Sequence, residues 1–233
     1  MKVVSPHPWD VTPAEGMRIQ DELREKVSTT WEPIEVKRVA GVDVGMEGEI
    51  ARAAVVVLSY PEMNLLDQSL ARVPVTMAYI PGLLAFREAP AILAAWEKLS
   101  SEPDLIIIDG QGLAHPRHFG IASHIGVILD VPSIGCAKSR LWGNHHEPPN
   151  EAGSYAHLYD GEEIIGAVLR TKTGVQPVYV SIGHKIDLPT AIQFVLSLCR
   201  GYRLPEPIRY AHRVAEGEKL KIEGEQKSLF DLL

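Results

Sequence analysis

The chain has 233 residues, of which 45% are apolar and 23% charged, enough for one large domain or two small ones. Its net charge of −7 excludes bulk electrostatic attraction to nucleic acid, so a polyanion would need a local basic surface or bound metal ions. No apolar run is long enough to span a bilayer, and the opening MKVVSPHPWD lacks the apolar core of a signal peptide, so a cytoplasmic protein is expected. In that compartment Cys136 and Cys199, far apart in sequence, are expected to be reduced, packed thiols.

Thr12-Pro13-Ala14-Glu15 predicts a helix start, with a Thr cap, Pro in the first turn and Glu three residues after the Thr. Ile19, Leu23 and Val27 follow at a spacing of four and predict one buried stripe. VKRVAGVDVG, EIARAAVVVLSY and LLDQSLARVPV, divided by Gly or by Pro and Asn, predict three strands in an antiparallel meander. A helix opens in MAYIPGLLAFREAP and ends near EKLSSEPD. LIIID is a continuous apolar run and predicts a strand buried on both faces. HFGIASHIGVILD is read as a helix, PSIGCA as a short strand, and SYAHLYD with EEIIGAVLRT as a hairpin across Asp160-Gly161. PVYVSIG is a further strand and LPTAIQFVLSLCR is read as the last helix. Three strands followed by alternating helix and strand predict an α/β domain with a mixed sheet. The domain is expected to occupy residues 1–215, and the charged, Gly-containing residues 216–233 are read as a flexible tail.

The acids stand out against this pattern. Asp43 interrupts an apolar strand, and Asp109 ends LIIID, where open α/β sheets place their ligands. Glu88 is four residues from both Leu84 and Ile92, so on a continuous helix it faces inward and needs a partner. If the regular helix begins only at Pro90, Glu88 is instead a cap residue. Three grouped carboxylates select a hard divalent cation, Mg²⁺ or Mn²⁺, suited to phosphoryl chemistry. NHHEPP also contains His145, His146 and Glu147, but adjacent histidines in a strand point opposite ways and the prolines mark a loop, which argues against a metal site there.

Beyond single residues, VAGVDVG, YIPGLLAFREAP, IIDGQGLAHPRHFGIASHIGV, PSIGCAKSRLWG, SIGHKIDLPTAI and PEPIRYAHRVA resemble successive signature blocks of the endonuclease V family, from about Val36 to Val214. The resemblance implies a ribonuclease H-like fold whose mixed sheet starts with three antiparallel strands flanked by helices. It implies a monomeric, Mg²⁺-dependent endonuclease with inosine-containing DNA as its partner. Such an enzyme nicks the second phosphodiester 3′ to the lesion, and Mn²⁺ is expected to substitute for Mg²⁺. The family's metal acids fall on Asp43, Glu88 and Asp109, and its wedge motif on Tyr79, Ile80 and Pro81, with Ala78 where a Pro often stands. Asp187 replaces the Ser that usually opens a later helix, a mild change of cap.

Inosine differs from adenine at C6, an atom hard to read inside a stacked duplex, so the base must be extruded and the gap filled. Tyr79 is assigned to that task, supported by Ile80 and Pro81. Gly82 is expected to let backbone approach the extruded nucleotide closely, and backbone N–H groups at Gly110 and Gly112 to donate to the inosine O6, although DGQG is equally a tight strand-to-helix turn. Leu84, Ile121 and Leu141 are candidate apolar walls, and His115 resembles the family's active-site His. His212 is the candidate for orienting or deprotonating the attacking water. Lys138 is expected to hold a phosphate, and Arg87, Arg140, Lys185, Arg209 and Arg213 are either strand contacts or ordinary surface charge. The terminal QKSLF resembles a sliding-clamp pentapeptide through Gln226, Leu229 and Phe230, or the tail folds back on its own domain. Two other functions compete: an inosine-binding protein that no longer cuts, or an endonuclease directed at RNA. A sugar-kinase-like ATPase is suggested by GVDVG alone.

Overall fold

The computed structural model describes residues 3–222, so the QKSLF segment lies outside the described residues. Five helices and eight strands follow in chain order: α1 (Pro13–Arg24), β1 (Arg38–Glu47), β2 (Ile50–Ser59), β3 (Leu65–Pro74), α2 (Leu84–Trp96), β4 (Leu105–Ile108), α3 (Ile121–Leu129), β5 (Ser133–Ala137), β6 (Tyr155–Asp160), β7 (Glu163–Leu169), β8 (Val178–His184), α4 (Leu188–Leu198) and α5 (Glu206–Ala215). The strands form one sheet in the order β3-β2-β1-β4-β5-β8-β7-β6. β1, β2 and β3 are antiparallel neighbours, β1, β4 and β5 run parallel, and β8, β7 and β6 return antiparallel. Among the described residues no helix is long and apolar enough to cross a membrane.

Period-two alternation sorts the sheet's side chains between two helical layers. Val39 and Ile107 join a core built with α4 and α5, while Ala40, Val42, Ile106 and Ile108 join one built with α2 and α3. Both faces of the central strands are therefore covered, which is why LIII reads as an unbroken apolar run. α1 starts as its residues dictate: Glu15 N–H donates to Thr12 Oγ1 at 3.3 Å and Thr12 N–H to Glu15 Oε2 at 2.8 Å. At α4 the Asp187 carboxylate accepts from Thr190 N–H at 2.8 Å.

Three expectations need correction, and one open alternative is resolved. α5 is a further helix beyond LPTAIQFVLSLCR, and it carries His212. Its apolar residues Ile208, Ala211, Val214 and Ala215 recur at helical spacing among charged neighbours, so the period of an amphipathic helix was present in the sequence. Its end signals were present too: Pro207 and Glu206 in the first turn, His212 and Arg213 in the last. α3 starts at Ile121 after Gly120 rather than at His118, whose φ of 48° is not helical. α2 runs through Pro90 without a break and is preceded by Leu83 at the cap position, so Glu88 is a helix-interior residue and not a cap. Of the segment assigned to the tail, residues 216–222 lie against β3: Leu220 is buried, its N–H donates to Gln68 Oε1 at 3.1 Å and its carbonyl accepts from Gln68 Nε2 at 2.6 Å.

Candidate active site

The parallel ladder between β1 and β4 ends at the pair Val42 and Ile108, and Asp109 N–H donates to Val42 O at 3.0 Å. Asp43 and Asp109 are the next residue of each chain. They lie side by side, their carboxyl groups in hydrogen-bond contact, just past the end of the β1–β4 ladder, while β1 continues along β2 to Glu47. Glu88 comes in from α2, and its pKa is pushed up to about 8, first by burial, then by the negative charge of Asp43 and to a smaller degree by Asp109, against the pull of Arg87. Burial and Asp43 also raise Asp109, while the Lys138 ammonium, paired with its Oδ2, pulls it down. The charge of Asp43 makes Glu88 and Asp109 harder to ionise, so the cluster calls for positive charge.

Two neighbours meet the acid pair, one of them a cation. Lys138, just past the end of β5, takes an oxygen of Asp109, so its ammonium rests on the carboxylate and not on the open surface. His212 Nδ1 lies 2.8 Å from Asp43 Oδ2. A carboxylate facing that nitrogen accepts a hydrogen bond from Nδ1–H, which places the ring's lone pair on Nε2. Among the described residues, no three His, Cys, Asp or Glu side chains converge as ligands of one ion, the NHHEPP loop included, where Glu147 pairs with Arg170.

Asp109 also lines a pocket of about 370 Å³. Tyr79, Gly82, Leu84, Gly110, His115, Ile121, Lys138 and Leu141 share its wall, so the structure gathers most of the residues assigned to base binding around the acid pair. Gly112 is not among them. It is packed beneath, with its N–H on Ser181 Oγ at 2.9 Å, and a Cβ there would fall 1.9 Å from the carbonyl oxygen of Ile182, so this glycine serves strand-to-helix packing. Arg140, Gln111 and Ser139 line the pocket without having been expected there as base-pocket residues, as does Gln20 from α1.

Gln20 belongs to a network that also redefines His115. The Gly82 carbonyl accepts from Gln20 Nε2 at 3.0 Å, from His115 Nε2 at 2.9 Å and from Arg117 Nη2. Arg117 N–H donates to His115 Nδ1 at 3.1 Å, so both ring nitrogens are occupied and the imidazole is neutral. Its pKa is pushed down to about 4, chiefly by burial and next by the Arg117 charge. His115 has no lone pair left for proton transfer. At the other end of the same loop Arg87 Nη1 donates to Met77 O at 2.8 Å. Residues 78–81 thus project between two fixed points, and Tyr79 stands 67% exposed at the pocket mouth with Pro81 also exposed and Ile80 half-buried. No signal local to α1 marks Gln20 for this contact. Lys185, Arg209 and Arg213 are each engaged with an acid, Asp130, Glu206 and Glu218. Both cysteines are free thiols.

A mixed sheet opening with three antiparallel strands, with one acid in the middle of β1 beside another at the end of β4, defines a nuclease of the ribonuclease H-like class. Residues 21–213 match the sequence pattern of Endonuclease V, and the chain belongs to that family. It is 54% identical over 218 residues to the Endonuclease V of Trichormus variabilis, covering 92% of this chain and 99% of that one. Among solved structures, the Endonuclease V of Streptomyces avermitilis superposes with a TM-score of 0.85 at 41% identity, covering 93% of this chain and 96% of the other. The Ciona intestinalis Endonuclease V, crystallised with a DNA 24mer containing an inosine followed by a ribo-adenosine, does so with 0.76 at 29% identity over 87% and 95% of the two chains.

Proposed function

We propose that this endonuclease acts in the cytoplasm as a monomeric repair enzyme on DNA containing deoxyinosine, extruding the base and nicking the second phosphodiester 3′ to it. The observation that carries the reading is the shared position of Asp109, which touches Asp43 on one side and walls the pocket on the other. Chemistry at a phosphate and recognition of a base a few ångströms away then use one strand end. The inosine-containing DNA held by the Ciona protein supports the same substrate for this chain.

The residues present fit a hard divalent cation: two carboxylates in contact, a third whose ionisation they oppose, and an imidazole on Asp43. Asp43 and Asp109 would hold Mg²⁺, or Mn²⁺ in its place, with Glu88 alongside. The ion supplies Lewis-acid polarisation and charge neutralisation at the scissile phosphate. His212 Nε2 accepts the proton of the attacking water, while Asp43 keeps the Nδ1 proton in place and orients the ring. Lys138 neutralises a phosphate oxygen beside the scissile bond. In the pocket, Leu84, Ile121 and Leu141 cover the faces of the extruded base, and backbone at Gly82 and Gly110 approaches its edge. Tyr79 with Ile80 and Pro81 fills the space it leaves. The nuclease domain takes in the segment on β3 past residue 215, and Gln226, Leu229 and Phe230 tether the enzyme to a sliding clamp, raising its local concentration on DNA.

A cleavage panel tests this: strands carrying inosine, xanthosine, uracil or an abasic site, in DNA and RNA, with the nick mapped in Mg²⁺. Inosine DNA is expected to be cut most efficiently, at the second phosphodiester 3′ to the lesion; cutting indifferent to the base overturns the proposal. Tyr79→Ala is expected to weaken lesion binding about tenfold, the scale of one lost aromatic stack, while slowing cleavage of bound substrate much less. Unchanged affinity with a collapsed single-turnover rate would remove Tyr79 from the wedge.

A further inference from the structure

A second concavity of about 280 Å³ adjoins the pocket and shares Arg140 and Leu141 with it. Trp142, Asn144 and Asp160 complete its wall. Leu141 and Trp142 are 38% and 41% exposed, adjacent large apolar side chains at the rim of a polar site. Loose packing does not explain them. Asn144 exchanges both main-chain hydrogen bonds with Tyr159 on the edge strand β6, at 2.7 and 2.8 Å. Between them and Trp142, Gly143 adopts a φ of +84°, and a Cβ would fall 2.7 Å from the Tyr159 carbonyl. The indole donates to the Asp160 carboxylate, which also bonds His118 Nε2 at 2.9 Å. On the other side of that imidazole, Glu163 is 3.6 Å from Nδ1. With its one polar side-chain atom engaged, Trp142 offers ring carbon to whatever fills the concavity, held in place before anything binds.

We propose that this concavity is a subsite for the nucleotide next to the extruded one, whose base stacks on Trp142 and whose phosphate meets Arg140. The proposal rests on the base-extrusion reading above. Pulling one nucleotide from a stack uncovers a face of its neighbour, and a fixed aromatic ring covers that face whatever the base. Continuity of the two cavities through Arg140 and Leu141 places the subsites one beside the other along a strand. Charge sets the orientation: Asp160 and Glu163 repel phosphate from the outer end, so the backbone runs on the Arg140 side.

The test measures Kd for wild type, Trp142→Ala and Trp142→Phe on inosine-containing single strands in which each neighbouring nucleotide in turn is abasic. Trp142→Ala is expected to weaken binding of the intact strand about tenfold or more, with Trp142→Phe recovering most of the loss. One abasic position should bring wild type and Trp142→Ala to the same Kd, while the others leave their ratio unchanged. A ratio independent of abasic position, or no difference between the two proteins on the intact strand, with preference for inosine over adenine retained, overturns the subsite alone. Absence of that preference in wild type overturns the extrusion reading and the subsite together.

Discussion

Asp43→Asn and Asp109→Asn should each reduce nicking of an inosine duplex in Mg²⁺ by at least about 10³-fold, the effect of losing roughly 4 kcal/mol of stabilisation at the reacting phosphate. Both carboxylates sit where the β1–β4 ladder ends, held in place by the backbone of the two strands. Loss of fold is not expected to be the cause. Asp43 is the largest charged contributor to the raised pKa of Glu88, so neutralising it relieves repulsion inside the cluster. The Asp43→Asn protein should therefore melt at or above the wild-type temperature in the presence of chelator. Gel-resolved single-turnover cleavage beside thermal melts checks both halves. An Asn variant that cuts at the wild-type rate removes the acid pair from the reaction, and a wild type that binds inosine strands tightly but never nicks them leaves a binding protein.

The second large effect concerns pH. Glu88 has a folded pKa of about 8 against an ordinary 4.5, so the folded protein keeps a proton that the unfolded chain releases between those values. Stability from this group is complete below about pH 4.5 and is lost as pH rises through 8. His115 has the opposite sign: its pKa of about 4 lies below the ordinary 6.5, so stability rises with pH between these limits. The two oppose each other in acid and part above pH 6.5, where His115 no longer changes charge and Glu88 still does. Chelated wild type is expected to lose roughly 2 kcal/mol between pH 6.5 and 8, at about 1.4 kcal/mol per pH step. Glu88→Gln should flatten that decline, and so should Mg²⁺, which favours the ionised form. Urea unfolding curves at half-unit pH intervals measure it. An equal decline in Glu88→Gln would assign the slope to another group.

Glu88 also illustrates what a linear reading leaves open. Spacing from Leu84 and Ile92 pointed it inward, but Pro90 allowed the helix to begin later, and nothing local chose between the two. The choice was made by packing: Phe86, Ala89 and Ile92 are all fully buried on one continuous helix, and that burial outweighs a proline's missing N–H. α5 shows the converse. Its Pro and Glu at the start, its His and Arg at the end and a sharp division between apolar and charged faces were all visible, but the segment is short and rich in charge, so it did not stand out as a buried helix. The strands β1 to β3, the LIII run and the hairpin across Asp160-Gly161 were legible because their alternation and turn residues lie within a few positions of one another.

From residue order alone came the strand and helix sequence of an α/β domain, the meander at its start, acids at or within strand ends, and motifs resembling one nuclease family. These are properties of near neighbours along the chain, where backbone sterics and period set the outcome. Tertiary structure alone decided that Asp43 touches Asp109, that Lys138 and His212 each take one of their oxygens, and that Gly112 is packing and not pocket wall. It alone brought Gln20, 62 residues away, to the Gly82 carbonyl beneath the Tyr79 loop. Such contacts follow from how buried layers close over one sheet, and no periodicity records which polar groups will meet when they do.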